Sequence, residues 1–135
     1  MKRTLLSCLV VLFLFSVPFT ALAAKEVKVE VLYMNHGPLL DTLNEIKTLF
    51  AKYGGKIAVS WHDVETEDGE KFMTQKKING HIPLVIWMDG YAKFQVDGKE
   101  IIFAGFPTGK GPYFFQGKWT MEDLRKALDQ MTNKK

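Results

Sequence analysis

Valine recurs at every second position in Val27-Lys28-Val29-Glu30-Val31-Leu32-Tyr33, the period-two alternation of a strand. After a His-Gly-Pro turn, Leu39, Leu43, Ile46, Phe50 and Tyr53 follow at spacings of four, three, four and three, one stripe of a helix. Gly54-Gly55 stops that stripe where a left-handed cap belongs. Residues 56–62 read as a second strand, and the acidic stretch Asp63 to Glu70 as a loop before a short helix around Glu70–Lys77 that ends at Asn79-Gly80. Pro83-Leu84-Val85-Ile86-Trp87-Met88 is apolar throughout, the pattern of a strand covered on both faces. Asp89-Gly90 is a hairpin signal, Tyr91 to Val96 a returning strand, and Asp97-Gly98 a further turn into Glu100–Phe106. Thr120 then caps a last helix with Met121, Leu124, Leu128 and Met131 as its stripe. A βαβ unit, a helix, a ββ hairpin and a closing helix predict a small α/β sandwich.

The N-terminus changes where this domain is expected to work. Met1-Lys2-Arg3, the apolar run from Leu5 to Phe19 and Ala21-Leu22-Ala23-Ala24 have the layout of a secretory signal peptide, with cleavage after Ala23. The expected division is a signal peptide over 1–23 and one domain over 24–135, exported to the periplasm or beyond, with no stable membrane insertion after cleavage. The apolar core is short for a bilayer span. Cys8 is the chain's only cysteine and falls inside the leader, so the exported part has no thiol and no disulfide. The leader also takes two of the 18 basic residues and none of the 15 acidic ones, leaving 16 against 15. Lysine and glutamate alternate without long runs, which argues against a nucleic-acid footprint.

The turn itself, MNHGPLLDTL over residues 34–43, carries the sharpest signal. His36-Gly37-Pro38-Leu39 opens the first helix, Gly80-His81-Ile82-Pro83 leads into an apolar strand, and Asp89-Gly90 turns a hairpin. With the element order, these marks resemble the thioredoxin-like family over about residues 26–131. The resemblance implies a thioredoxin-like βαβ-α-ββ-α sandwich, with Ile82–Pro83 in the cis-proline loop beside the helix-start turn. It also puts His36 and Leu39 in the slots of the two redox cysteines. A helix N-terminus lowers a thiol's pKa, and the family's reaction needs one thiolate to attack and a second thiol to resolve. Neither is present, so a redox-inactive member is expected, with no catalytic residue and no cofactor. Glu30 lies where the family places a buried carboxylate. With no thiol to serve, it is read as structural or surface, paired with a cation or exposed near the strand's start.

Two uses of the turn follow. One is binding of a protein or extended peptide through His36, Gly37, Pro38, His81, Ile82 and Pro83, because the family's proline loop pairs with extended backbone. The other is a copper-type metal site of His36 and His81 with Met34 as auxiliary, imidazole and thioether both suiting copper. His62 at the end of the second strand is expected too far away to join them. Between Phe103 and Trp119, six aromatics fall within 17 residues broken by glycine and proline. Phe103, Phe106 and Trp119 are expected to anchor this loop, and Tyr113, Phe114 and Phe115 to add an exposed binding edge. Thr108-Gly109-Lys110-Gly111 lacks the spacing and following helix of a phosphate loop.

Overall fold

The computed structural model describes residues 25–133, so the expected leader and its expected cleavage site lie outside the described residues. The elements run β1 (Val27–Tyr33), α1 (Leu39–Ala51), β2 (Ile57–Asp63), α2 (Glu67–Lys76), β3 (Leu84–Met88), β4 (Lys93–Val96), β5 (Lys99–Ile102) and α3 (Met121–Thr132). β1 is the middle of a three-stranded sheet ordered β2-β1-β3, parallel to β2 and antiparallel to β3. The mixed α/β domain therefore has three helices around sheets, as the periodicities require.

Alternation along the strands sorts the side chains into two cores. Val27, Val29 and Val31 of β1, with Leu84, Ile86 and Met88 of β3, pack on the α1 stripe and on Leu124, Ala127 and Leu128 of α3. The opposite face sends Leu32, Val85 and Trp87 against Phe72 of α2. All five residues of β3 are buried, in accord with the continuous apolar run. Each large side chain so covered stabilises the fold by roughly 1.5–3 kcal/mol. Thr120 closes a full capping box with Asp123 at the start of α3.

Some expectations shift. α2 begins three residues earlier than its apolar pattern suggests, because Thr66 accepts from the Gly69 N–H and caps it. Glu67, Asp68 and Glu70 form its first turn, where the helix dipole favours acids, so the acidic stretch is helix start as much as loop. Gly69 lets that turn sit on the end of β2, since a Cβ there would lie 1.8 Å from the Asp63 carbonyl oxygen. α2 also closes earlier, with Lys77 in the left-handed region.

The Asp89-Gly90 turn forms, and Met88 and Tyr91 exchange hydrogen bonds across it at 2.8 and 3.1 Å. The returning strand then leaves β3 and pairs only with β5, as a separate ribbon. The open edge of β3 is taken instead by residues 103–105. Ile86 N–H donates to the Phe103 carbonyl at 2.9 Å and Gly105 N–H to the Leu84 carbonyl at 2.8 Å. The expected cis Ile82–Pro83 bond is corrected as well: no described peptide bond is cis. Pro83 enters β3 extended, with its carbonyl accepting from the Met34 N–H at 3.0 Å, a strand-start position that a trans proline fills.

Candidate functional site

The antiparallel register of β1 and β3 pairs Tyr33 with Leu84, so whatever follows β1 must lie beside whatever precedes β3. That brings the His36 turn against the Pro83 loop. Gly37 turns the chain at φ +57°, a conformation costly for other residues, and Pro38 at φ −68° presets the first turn of α1. Leu39, the first residue of α1, is fully covered, and Met34 is buried.

A third wall comes from the long loop after β5. Phe106 N–H donates to the Phe115 carbonyl at 2.8 Å, and Gly117 N–H to the Phe106 carbonyl at 2.7 Å. Trp119, fully buried, donates through its indole N–H to the Gly105 carbonyl at 3.2 Å, and Lys110 is ion-paired to Glu45 of α1. Gly105 sits at φ +74° with no space for a side chain: a Cβ would lie 2.5 Å from the Phe115 oxygen. The loop is therefore pinned at both ends. Phe103, Phe106 and Trp119 anchor it as expected.

Between these walls lies a cavity of about 170 Å³ lined by Met34, His36, Pro38, Leu39, His81, Pro83, Phe106, Pro112 and Phe115. A wider, shallower depression of about 420 Å³ between α1 and α3 is rimmed by Glu45, Glu122 and Arg125, all ion-paired. We take the smaller cavity as the site, since it joins apolar walls to two imidazoles and a thioether.

Of the residues expected at the site, His36, Pro38, His81, Pro83, Phe115 and Met34 line this cavity. Gly37 and Ile82 are their chain neighbours and do not. Tyr113 and Phe114 stand outside it, 83% and 93% exposed, as a rim of two rings 6.0 Å apart. His36 Nε2 lies 3.5 Å from Glu65 Oε1, and the His81 ring leans on Phe115 with centroids 5.6 Å apart. His62 is elsewhere: its ring stacks on Phe72 at 3.8 Å and its Nδ1 is 2.6 Å from Asp68. Phe106, Pro112 and Glu65 are the neighbours that pattern reading missed. Only the glycine-proline punctuation around residues 105–112 hinted that the loop would fold back.

Beside the cavity the main chain from Asn79 to Ile82 makes no hydrogen bond to another described backbone group. Glu30 does not line the cavity. It is 6% exposed, bonded to Lys76 at 2.7 Å and Lys28 at 2.8 Å, so the exposed alternative is corrected to a buried ion pair. Burial pushes its carboxyl up, but the Lys28 and Lys76 ammoniums outweigh that and hold it below the usual range. Among the described residues no three His, Cys, Asp or Glu side chains converge as a metal cluster, and none is a cysteine.

The arrangement can thus seat one apolar side chain next to main chain that pairs with no other described backbone group, or present nitrogen and sulfur donors. No family model matches the chain, and no curated protein or solved structure matches it either.

Proposed function

We propose that this chain is an exported, thioredoxin-like protein without thiol–disulfide activity, which binds an extended segment of a protein partner across the His36 turn and the Pro83 loop. The observation that carries the reading is that the main chain of residues 79–82, which pairs with no other described backbone group, runs beside a cavity of about 170 Å³. Drug-sized ligands need roughly 300–1,000 Å³, whereas a dry cavity of about 150 Å³ takes a benzene ring. The space therefore suits one side chain of an extended chain. Backbone pairing supplies affinity in such binding, and a pocket for one side chain supplies selectivity. Tyr113 and Phe114, exposed at the rim, extend the contact.

The family reading draws support from the strand order β2-β1-β3 and from the meeting of the two loops at one cavity. The trans Ile82–Pro83 bond departs from the family pattern, so the binding reading rests on the cavity and the backbone beside it. With Cys8 removed in the leader, no mixed disulfide can form, and the purified exported part is expected to leave insulin disulfides intact.

The decisive experiment selects binders from a displayed library of linear peptides and maps them by amide chemical shifts. Shifts should cluster at residues 34–39, 79–83 and 112–115, and the selected peptides should share one apolar position. Binders that move only the α1–α3 face, or a library that yields none, would refute the reading.

A further inference from the structure

The cavity joins two imidazoles, His36 and His81, to the thioether of the buried Met34, in walls otherwise built from proline, leucine and phenylalanine. We propose that it is a binding site for monovalent copper, with His36, His81 and Met34 as ligands. The inference depends on the cavity and not on the partner reading. A metal ion and a partner's side chain would compete for the same space.

The donor set selects the ion. Magnesium and calcium take oxygen ligands, and none of the cavity's side chains carries one. Structural zinc sites are built on thiolate and imidazole in closed tetrahedral sets, and this chain's exported part has no thiolate. Thioether is a soft ligand that suits monovalent copper, and imidazole suits copper in general. Charge points the same way. None of the three donors is an anion, and a divalent ion in apolar walls without a carboxylate ligand would be poorly compensated. A single positive charge is the least costly cation to hold there.

The surroundings of the ligands fit that role. Met34 is fixed at the end of β1 by its N–H bond to Pro83 at 3.0 Å. Glu65 stands 3.5 Å from His36 Nε2, the place of a carboxylate that orients a ligating imidazole and leaves its Nδ1 for the metal. Phe115 against the His81 ring restricts its rotation. The positive end of the α1 dipole opposes a cation, but that effect is screened and confined to the first turn.

The test titrates reduced copper, buffered by bicinchoninate and without oxygen, into the purified exported chain. One copper per chain with sub-micromolar affinity is expected. His36→Ala/His81→Ala should weaken it by at least about 100-fold, and Met34→Leu by about 10-fold, the scale on which a site's supporting groups act. X-ray absorption should show nitrogen and sulfur neighbours in the wild type, with the sulfur contribution gone in Met34→Leu. Both histidines are exposed, so the double variant should keep its fold, which circular dichroism checks. Should it unfold, the wild-type absorption spectrum and the His36→Gln and His81→Gln single variants decide the matter. No competition with bicinchoninate, binding unchanged without the histidines, or a sulfur neighbour persisting in Met34→Leu would each overturn the proposal. Peptide binding by metal-free chain is read separately, so either reading can fail alone.

Discussion

Replacing Glu30 by leucine removes the buried carboxylate of β1 and leaves the Lys76 ammonium facing Phe72 and Trp87 without its counter-ion. The size of the loss follows from how each partner is exposed. The Lys28 side chain is 63% exposed, so its 2.8 Å contact is screened and worth at most about 1 kcal/mol. Lys76 is only 22% exposed at 2.7 Å, between an exposed pair and the roughly 3–5 kcal/mol lost when a fully buried pair is broken. Glu30→Leu should therefore cost about 2–3 kcal/mol. Lys76→Met should cost less, about 1–2 kcal/mol, because Lys28 still answers the carboxylate. The double variant should cost about 1–2 kcal/mol, less than the single variants' sum of about 3–5 kcal/mol, giving a coupling of about 2–3 kcal/mol in a double-mutant cycle.

Urea denaturation of the four proteins at pH 7 and again at pH 3 measures all of this. The Glu30 carboxyl is held below its ordinary value of 4.5 in the folded chain. Its contribution is complete above the unfolded value and disappears as pH falls through the folded one. Wild-type stability should then drop more steeply in acid than that of Glu30→Leu, and the coupling should shrink. A coupling under about 0.5 kcal/mol at pH 7, or one that grows in acid, would refute the buried-pair argument.

Tyr113→Ser/Phe114→Ser should leave the urea midpoint within about 0.5 kcal/mol of wild type, since both rings are exposed, while weakening a selected peptide at least about 10-fold by fluorescence titration. Gly105→Ala should cost about 3 kcal/mol or more and disturb the amide shifts of residues 113–117, because a Cβ there meets the Phe115 carbonyl. Gly109→Ala, at a similar φ in open space, should cost only about 1 kcal/mol by thermal melting. Tyr53→Phe removes a hydroxyl that donates to the Arg125 carbonyl and Asp129, at about 1 kcal/mol. Burial, and then the bond to Asp129, push that phenol up to about 12, so the unfolded chain ionises first. Wild-type stability should fall as pH rises above about 10, and the slope should be shallower in Tyr53→Phe when followed by urea denaturation in alkaline buffer.

What could be read ahead of the structure was whatever depends on neighbours in the chain. The stripe Leu39-Leu43-Ile46-Phe50 is buried as its spacing demands, and Thr120 caps α3 because a threonine three residues before an acid carries its own partner. Both two-residue turns at Asp89-Gly90 and Asp97-Gly98 adopt positive φ for the same local reason. What escaped depends on contacts across the fold. For Glu30 the sequence leaves both pairing with a cation and exposure open, and only α2, delivering Lys76 across 46 positions of sequence, decides between them. The acidic stretch reads as loop until Gly69 is seen to let it close against β2.

The site divides in the same way. His36 and His81 are expected together only because the resemblance sets the proline loop beside the helix-start turn, and the antiparallel register of β1 and β3 supplies the physical reason that they meet. The third wall obeys no such rule, since residues 103–105 displace β4 from the edge of β3 and only that displacement brings Phe106 and Phe115 over the turn. A hairpin fully paired to β3 would have taken that edge and left the His36 turn open on this side. The cavity, and any selectivity it has, is therefore a product of the ribbon's departure from the sheet, an edge competition that no local periodicity records.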